Sequence, residues 1–200
     1  MSLWIKICGV TMAEDALAAV DAGADAVGIN FYAGSSRFCT REAAASIVSA
    51  VSSSVTVFGV FVRAGREVIE QTIEATGIGG VQLHGGEMGS EAEGWGLPVL
   101  RALAAGSAEI NPDSLQSPDY RVLIDSPAGG GSGQRWKDEA VAGLPLDRAV
   151  IAGGLNPQNV GSVVSRLSPF GVDVAGGVEK TAGVKDHELI REFIQRARTA

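Results

Sequence analysis

The chain has only two cysteines and two histidines, and they are scattered. Cys8, Cys39, His84 and His187 fall into no ligand spacing, and two isolated thiols build no disulfide framework. The sequence therefore predicts no metal, and a reduced, cytoplasmic setting suits it best. Positive charge is also in short supply. Sixteen Lys and Arg stand against 23 Asp and Glu, a formal net charge of −7. A protein that binds nucleic acid needs a basic stripe, so nucleic acid is not an expected partner. Long apolar runs are missing: none nears the roughly 18 residues of a membrane span, and no basic segment leads into an apolar one at the N-terminus. Neither a membrane nor an export signal is expected.

Glycine, by contrast, is abundant. The 27 glycines in 200 residues do not cluster into linkers; they punctuate short apolar, β-branched runs. Those runs are Trp4–Cys8, Ala26–Asn30, Thr56–Val62, Gly80–His84, Val99–Leu103, Arg121–Asp125, Ala149–Ala152 and Val172–Ala175. Near-continuous apolar runs of this length read as strands buried on both faces, as in a parallel sheet between helices. Helix starts lie between them. Thr11 and Glu14 have capping-box spacing, Asn156-Pro157 reads as a cap followed by proline, and Asp186 precedes an apolar stripe from Leu189 to Ala197. Segments 87–95, 107–118 and 136–144 hold short helices or loops. Eight units of about 25 residues predict an α/β fold, a minimal (β/α)8 TIM barrel over residues 1–200. An open doubly wound sheet is the alternative, but no GxGxxG follows the first strand.

Chemistry in such folds sits outside the C-terminal strand ends. Four ends stand out: Cys8-Gly9, Asp125-Ser126, Gly153-Gly154 and, after the eighth strand, Gly176-Gly177. Paired glycines let backbone approach a ligand, and the last two loops of a barrel often hold phosphate. Cys8 is either a small buried hydrophobe or a base. Asp125 either caps a turn or serves as a general acid. Lys6, two residues before Cys8, shares its strand face and is expected to favour the thiolate while pairing with Asp173. Arg37 suits a planar carboxylate. His84, closing the fourth strand, either touches substrate or packs, and Cys39 reads as a bystander.

Lys-Ile-Cys-Gly-Val-Thr (6–11), Gly-Ile-Asn-Phe with Ser-Ser-Arg (28–37), Val-Gln-Leu-His-Gly (81–85) and Leu-Ile-Asp-Ser (123–126) resemble the phosphoribosylanthranilate isomerases of tryptophan biosynthesis. So do Ala-Gly-Gly-Leu-Asn-Pro-Gln-Asn-Val (152–160), Gly-Val-Asp-Val (171–174) and Gly-Val-Glu through Gly-Val-Lys-Asp (177–186). The resemblance implies an Amadori rearrangement, the third step from chorismate. In it N-(5-phosphoribosyl)anthranilate becomes 1-(2-carboxyphenylamino)-1-deoxyribulose 5-phosphate. It implies Asp125 as general acid, Cys8 as general base, Arg37 near the anthranilate carboxylate, and phosphate on backbone amides around Gly153, Gly154, Gly176 and Gly177. It implies no cofactor and a monomer or homodimer. The chain departs from the family pattern at Ala175-Gly176-Gly177, where Ser-Ser-Gly is usual, so phosphate would rest more on backbone N–H groups and bind more weakly. Ser36 and Ala182 replace prolines, and the 129–133 loop has serine for threonine. Other readings are another phosphosugar isomerase or epimerase, a non-catalytic barrel for an anionic metabolite, and a thiol-redox protein using Cys8 and Cys39.

Overall fold

The computed structural model describes residues 2–86, 89–127 and 137–200. Eight parallel strands close into a barrel in sequence order. They are β1 (Trp4–Cys8), β2 (Ala26–Asn30), β3 (Thr56–Phe61), β4 (Gly80–His84), β5 (Val99–Ala104), β6 (Arg121–Asp125), β7 (Val150–Ile151) and β8 (Gly171–Val174). Closure comes from β1 pairing with β8. Both the number and the order of barrel strands match the sequence expectation; four have the expected ends and the other four are shifted by one residue. The call on the 129–133 loop lies outside the described residues, as does Trp136.

Period-two alternation sorts each strand into two environments. On β1, Ile5 and Ile7 face outward and join the large apolar layer beneath the helices. Lys6 and Cys8 face inward. A second apolar cluster, including Ala26, Phe58, Leu100, Leu123 and Val150, fills the barrel interior, with Trp4 and Phe170 packed against it. Trp4 meets Phe58 edge-on at 6.1 Å between ring centroids, and Arg121 lies 3.5 Å over the Phe170 ring. The bottom of the barrel is thus plugged by apolar and aromatic groups. Inward polar side chains are left for the upper end.

The longer helices are α1 (Ala13–Asp21), α2 (Arg41–Val51), α3 (Arg66–Thr76), α5 (Val160–Leu167) and α6 (His187–Arg198). After β4, β5 and β6 the described residues form only short turns, as expected: a 3₁₀ turn at Gly89–Ala92, one α-turn (α4, Pro112–Leu115), and 3₁₀ turns at Asp138–Val141 and Leu146–Arg148. Asp186 caps α6 as predicted, accepting from the N–H groups of Glu188 and Leu189, and Ile190, Phe193, Ile194 and Ala197 are buried. Two predicted starts are corrected. Thr11 forms no capping box with Glu14: α1 begins after Met12 with no side-chain cap, because the Thr11 hydroxyl donates instead to the Gly183 carbonyl at 2.7 Å. Asn156 does not cap α5 directly. Its Oδ1 accepts from Gln158 and Asn159 N–H, closing a turn of its own, and α5 starts at Val160. A short antiparallel hairpin, β9 (Glu179–Thr181) and β10 (Val184–Lys185), was not anticipated.

Candidate active site

Parallel register brings the upper inward residues together. Lys6 on β1 sits beside Asp173 on β8, and Cys8 beside Gly28 on β2. The Lys6 Nζ donates to Asp173 Oδ1 at 2.8 Å, with the lysine wholly buried. Cys8 and Lys6 converge above Gly28, where an added Cβ would lie 2.8 Å from the sulfur and 3.0 Å from Nζ. Only a residue without a side chain leaves that space.

Burial pulls the Lys6 ammonium toward neutrality, but Asp173 and Cys8 more than offset it, and its pKa ends above the ordinary value. Cys8 ends above its ordinary value as well. Burial raises it more than Lys6 and Lys185 lower it, and Asp173 adds to the rise. The expected thiolate-favouring effect of Lys6 is therefore present in direction, but burial outweighs it. Lys6→Met should push the Cys8 pKa higher still, read as thiolate absorbance during a pH titration. An unmoved value would remove Lys6 from any role in activating the sulfur.

Asp125 ends β6 on the rim facing these groups. Its Oδ1 accepts from the Ser126 N–H at 2.7 Å. Burial raises its pKa and Asp173 adds to that. The Ser126 N–H, His84 and Lys6 pull the other way without cancelling it. A carboxyl biased toward its protonated form is what a general acid requires.

Cys8, Arg37, His84 and Asp125 line one cleft at the barrel mouth, with Asn30, Tyr32 and Gln82. A second hollow opens beside it, lined by Gly153, Gly154, Gly176 and Gly177 and sharing Asp125, Asp173 and Ala175. All eight site residues expected from the sequence therefore gather in one continuous depression. Gly153 and Gly154 have φ of 82° and 66°, a left-handed backbone that disfavours other residues. The loop is braced from behind. Asn159 donates to the Gly154 carbonyl at 2.9 Å and accepts from the Asn156 N–H at 2.9 Å.

Arg37 departs from the simple picture of a free fork. Its Nε and Nη2 both donate to Glu179, at 2.8 Å each. Glu179 also accepts from Lys185 Nζ at 2.8 Å, and that ammonium donates to the Ala175 carbonyl at 3.1 Å. Asp15 holds the Lys185 backbone N–H and the His187 ring. Burial raises the Glu179 carboxylate, yet Arg37 and Lys185 bring it below its ordinary range. The unanticipated hairpin thus carries the clamp on Arg37. The Nη1 nitrogen takes no part in this pair.

The family model for N-(5'-phosphoribosyl)anthranilate (PRA) isomerase matches residues 5–196. The chain belongs to that family. The isomerase of Myxococcus xanthus is 39% identical over 213 residues, spanning 100% of this chain and 98% of its own. The crystal structure of the Thermus thermophilus phosphoribosyl anthranilate isomerase has a TM-score of 0.87 at 33% identity, covering 98% of this chain and 99% of that one. Another phosphoribosyl anthranilate isomerase, solved with reduced 1-(o-carboxyphenylamino)-1-deoxyribulose 5-phosphate, has a TM-score of 0.81 at 32% identity, covering 99% and 100%.

Within this isomerase family barrel, sequence reading passed over Gln82, Glu179 and Lys185. All three lie inside quoted motifs, Val-Gln-Leu-His-Gly, Gly-Val-Glu and Gly-Val-Lys-Asp. The available signal was a polar residue within an apolar strand, for Gln82, and a cation near the end of the chain, for Lys185. Among the described residues no group of three His, Cys, Asp or Glu could hold a metal, and no helix is long and apolar enough to cross a membrane.

Proposed function

We infer that this chain catalyses the Amadori rearrangement of N-(5'-phosphoribosyl)anthranilate to 1-(2-carboxyphenylamino)-1-deoxyribulose 5-phosphate, with Asp125 as general acid and Cys8 as general base. Family membership across the chain gives the reaction. The observation carrying the residue roles is the cleft itself: a carboxyl raised by burial and a thiol beside an ammonium, next to a glycine-lined hollow.

The sugar phosphate rests against backbone N–H groups of Gly153, Gly154, Gly176 and Gly177, and the anthranilate carboxylate pairs with Arg37. Asp125 gives its proton to the furanose ring oxygen. The C1–O bond breaks, and the nitrogen lone pair closes a protonated Schiff base. Cys8, as thiolate, takes the proton from C2. The C2–H electron pair forms the C1–C2 double bond and the iminium electrons return to nitrogen. The resulting enolamine becomes the ketone when C1 is protonated and the C2 hydroxyl loses its proton. Lys6 faces the sulfur and holds the thiolate when it forms, and Asp173 keeps Lys6 charged.

The acid must be protonated and the base ionised, while the thiol titrates above the carboxyl. The productive state is therefore a minority that keeps a constant share between the two pKa values. kcat/KM should fall below the Asp125 pKa and above the Cys8 pKa, with a plateau between. Lys6→Met should carry the upper limb to higher pH. A profile with one limb, or an upper limb indifferent to Lys6→Met, would contradict the assignment.

Glu179→Gln removes the charge that fixes Arg37. KM should rise about tenfold, equivalent to ~1.4 kcal/mol of binding, with kcat nearly unchanged, since Arg37 grips a part of the substrate remote from the reacting bonds. Unchanged KM would mean that the Glu179 clamp does not position Arg37.

The direct experiment adds the protein to freshly generated phosphoribosylanthranilate and follows loss of anthranilate-type fluorescence against a no-enzyme control. The control is needed because the substrate hydrolyses spontaneously to anthranilate. Conversion above it, abolished in Asp125→Asn, supports both the reaction and the acid. A folded protein that gives none overturns the reading.

A further inference from the structure

Gln82 points from β4 into the barrel, one inward position below His84. It is 3% exposed, and its Oε1 has no hydrogen-bond partner among the described residues. A buried amide oxygen has given up water, and leaving it without a donor is uncommon. Its sheet neighbours by register are Val60 and Leu100, whose side chains have no donor to give. The same side chain lines the cleft that holds Cys8, Arg37 and Asp125.

We propose that Gln82 is a substrate-binding residue whose Oε1 accepts a hydrogen bond from the sugar hydroxyl on C2, the carbon that Cys8 deprotonates. The proposal rests on the Amadori reading above. Donors on that substrate are few. Phosphate and carboxylate only accept, and the aryl amine N–H lies ortho to the carboxylate, which accepts it within the anthranilate group. The sugar hydroxyls remain, and C2 is the carbon that Cys8, lining the same cleft, has to reach. Holding the C2 oxygen turns the C2–H bond toward the sulfur. When the enolamine forms, this hydroxyl becomes a more acidic enol and a stronger donor. The bond therefore tightens along the reaction coordinate, which is where binding accelerates a reaction. No covalent bond to Gln82 forms or breaks.

The test compares the full wild-type chain with Gln82→Leu, and with Gln82→Met in case the leucine variant does not fold. In the fluorescence assay kcat should fall at least about tenfold in either variant. The melting temperature should hold or rise, because an apolar side chain replaces an unsatisfied polar group of similar size. The reduced product 1-(2-carboxyphenylamino)-1-deoxyribulose 5-phosphate and its analogue lacking the C2 hydroxyl give the second readout. Losing the hydroxyl should weaken binding about tenfold in the wild type and not at all in the variants. Wild-type kcat in both variants, a lowered melting temperature in both, or an equal hydroxyl penalty in all three proteins overturns the assignment. A wild type without isomerase activity overturns the Amadori reading and this proposal with it. An active wild type with indifferent variants overturns only the role of Gln82.

Discussion

Asp125→Asn should lower kcat by at least about 100-fold, the usual scale for a lost general acid, and should at the same time make the protein more stable at neutral pH. The first effect follows because the asparagine amide has no proton to give to the ring oxygen. Its Oδ1 can still accept from the Ser126 N–H, so the rim keeps its shape. The second follows from burial. The carboxyl titrates above its ordinary value in the folded protein. Well below that ordinary value both folded and unfolded chains hold the proton, and the site costs nothing. As pH rises past the ordinary carboxylate value, the unfolded chain releases its proton first. Stability is lost until pH has passed the raised folded value. At neutral pH, above the ordinary carboxylate value, the folded protein carries that loss, and asparagine removes it. Steady-state kinetics and thermal melts of the same preparation check both halves. Near-wild-type turnover would show that Asp125 is not the acid. A lower melting temperature at pH 7 would show that its ionised form is held by partners stronger than its burial.

Cys8→Ala should also lower kcat by about 100-fold or more, with KM little changed, because the sulfur meets the substrate only as the C2 proton leaves. Cys8→Ser separates chemistry from packing. Serine fills nearly the same volume above Gly28 but ionises far less readily, so its activity should sit with the alanine variant. Recovery of most activity in Cys8→Ser would reduce Cys8 to a filler of the barrel mouth. Single-turnover measurements should then find chemistry, not product release, slowed in both variants. Without the thiol the residual activity should follow protonated Asp125 alone, flat below the Asp125 pKa and falling as pH rises through it.

The proposed acid and the proposed base meet burial differently. Both are buried, and burial disfavours charge on either. Asp125 benefits directly, since its useful form is neutral. Cys8 does not, and needs the Lys6–Asp173 pair beside it. Placing an ion pair in the interior of a small barrel costs stability, and removing one partner from such a pair typically costs about 3–5 kcal/mol. Lys6→Met should therefore be judged on the sulfur titration together with a melt.

The eight strands, their order and the short connections after β4, β5 and β6 were legible in the sequence, because burial on both faces and glycine punctuation are local properties of the chain. The placing of Cys8, Asp125 and the paired glycines around the barrel mouth was legible too, since strand ends are where a barrel opens to solvent. The local helix signals were less dependable. Thr11 and Asn156 have the right types and spacings for caps, but each spends its polar atoms elsewhere, on Gly183 and on a preceding turn. What only the tertiary structure decided is who meets whom across the barrel. Closure of β1 onto β8 sets Lys6 against Asp173, 167 residues apart, and the late hairpin returns Glu179 to Arg37, 142 residues away. The unsatisfied oxygen of Gln82 belongs to the same class, because a residue's hydrogen-bond debt exists only once all its neighbours are in place. Residue type and local pattern determine strands and candidate chemistry; pKa direction, clamps and missing partners depend on distances between segments that the one-dimensional chain does not contain.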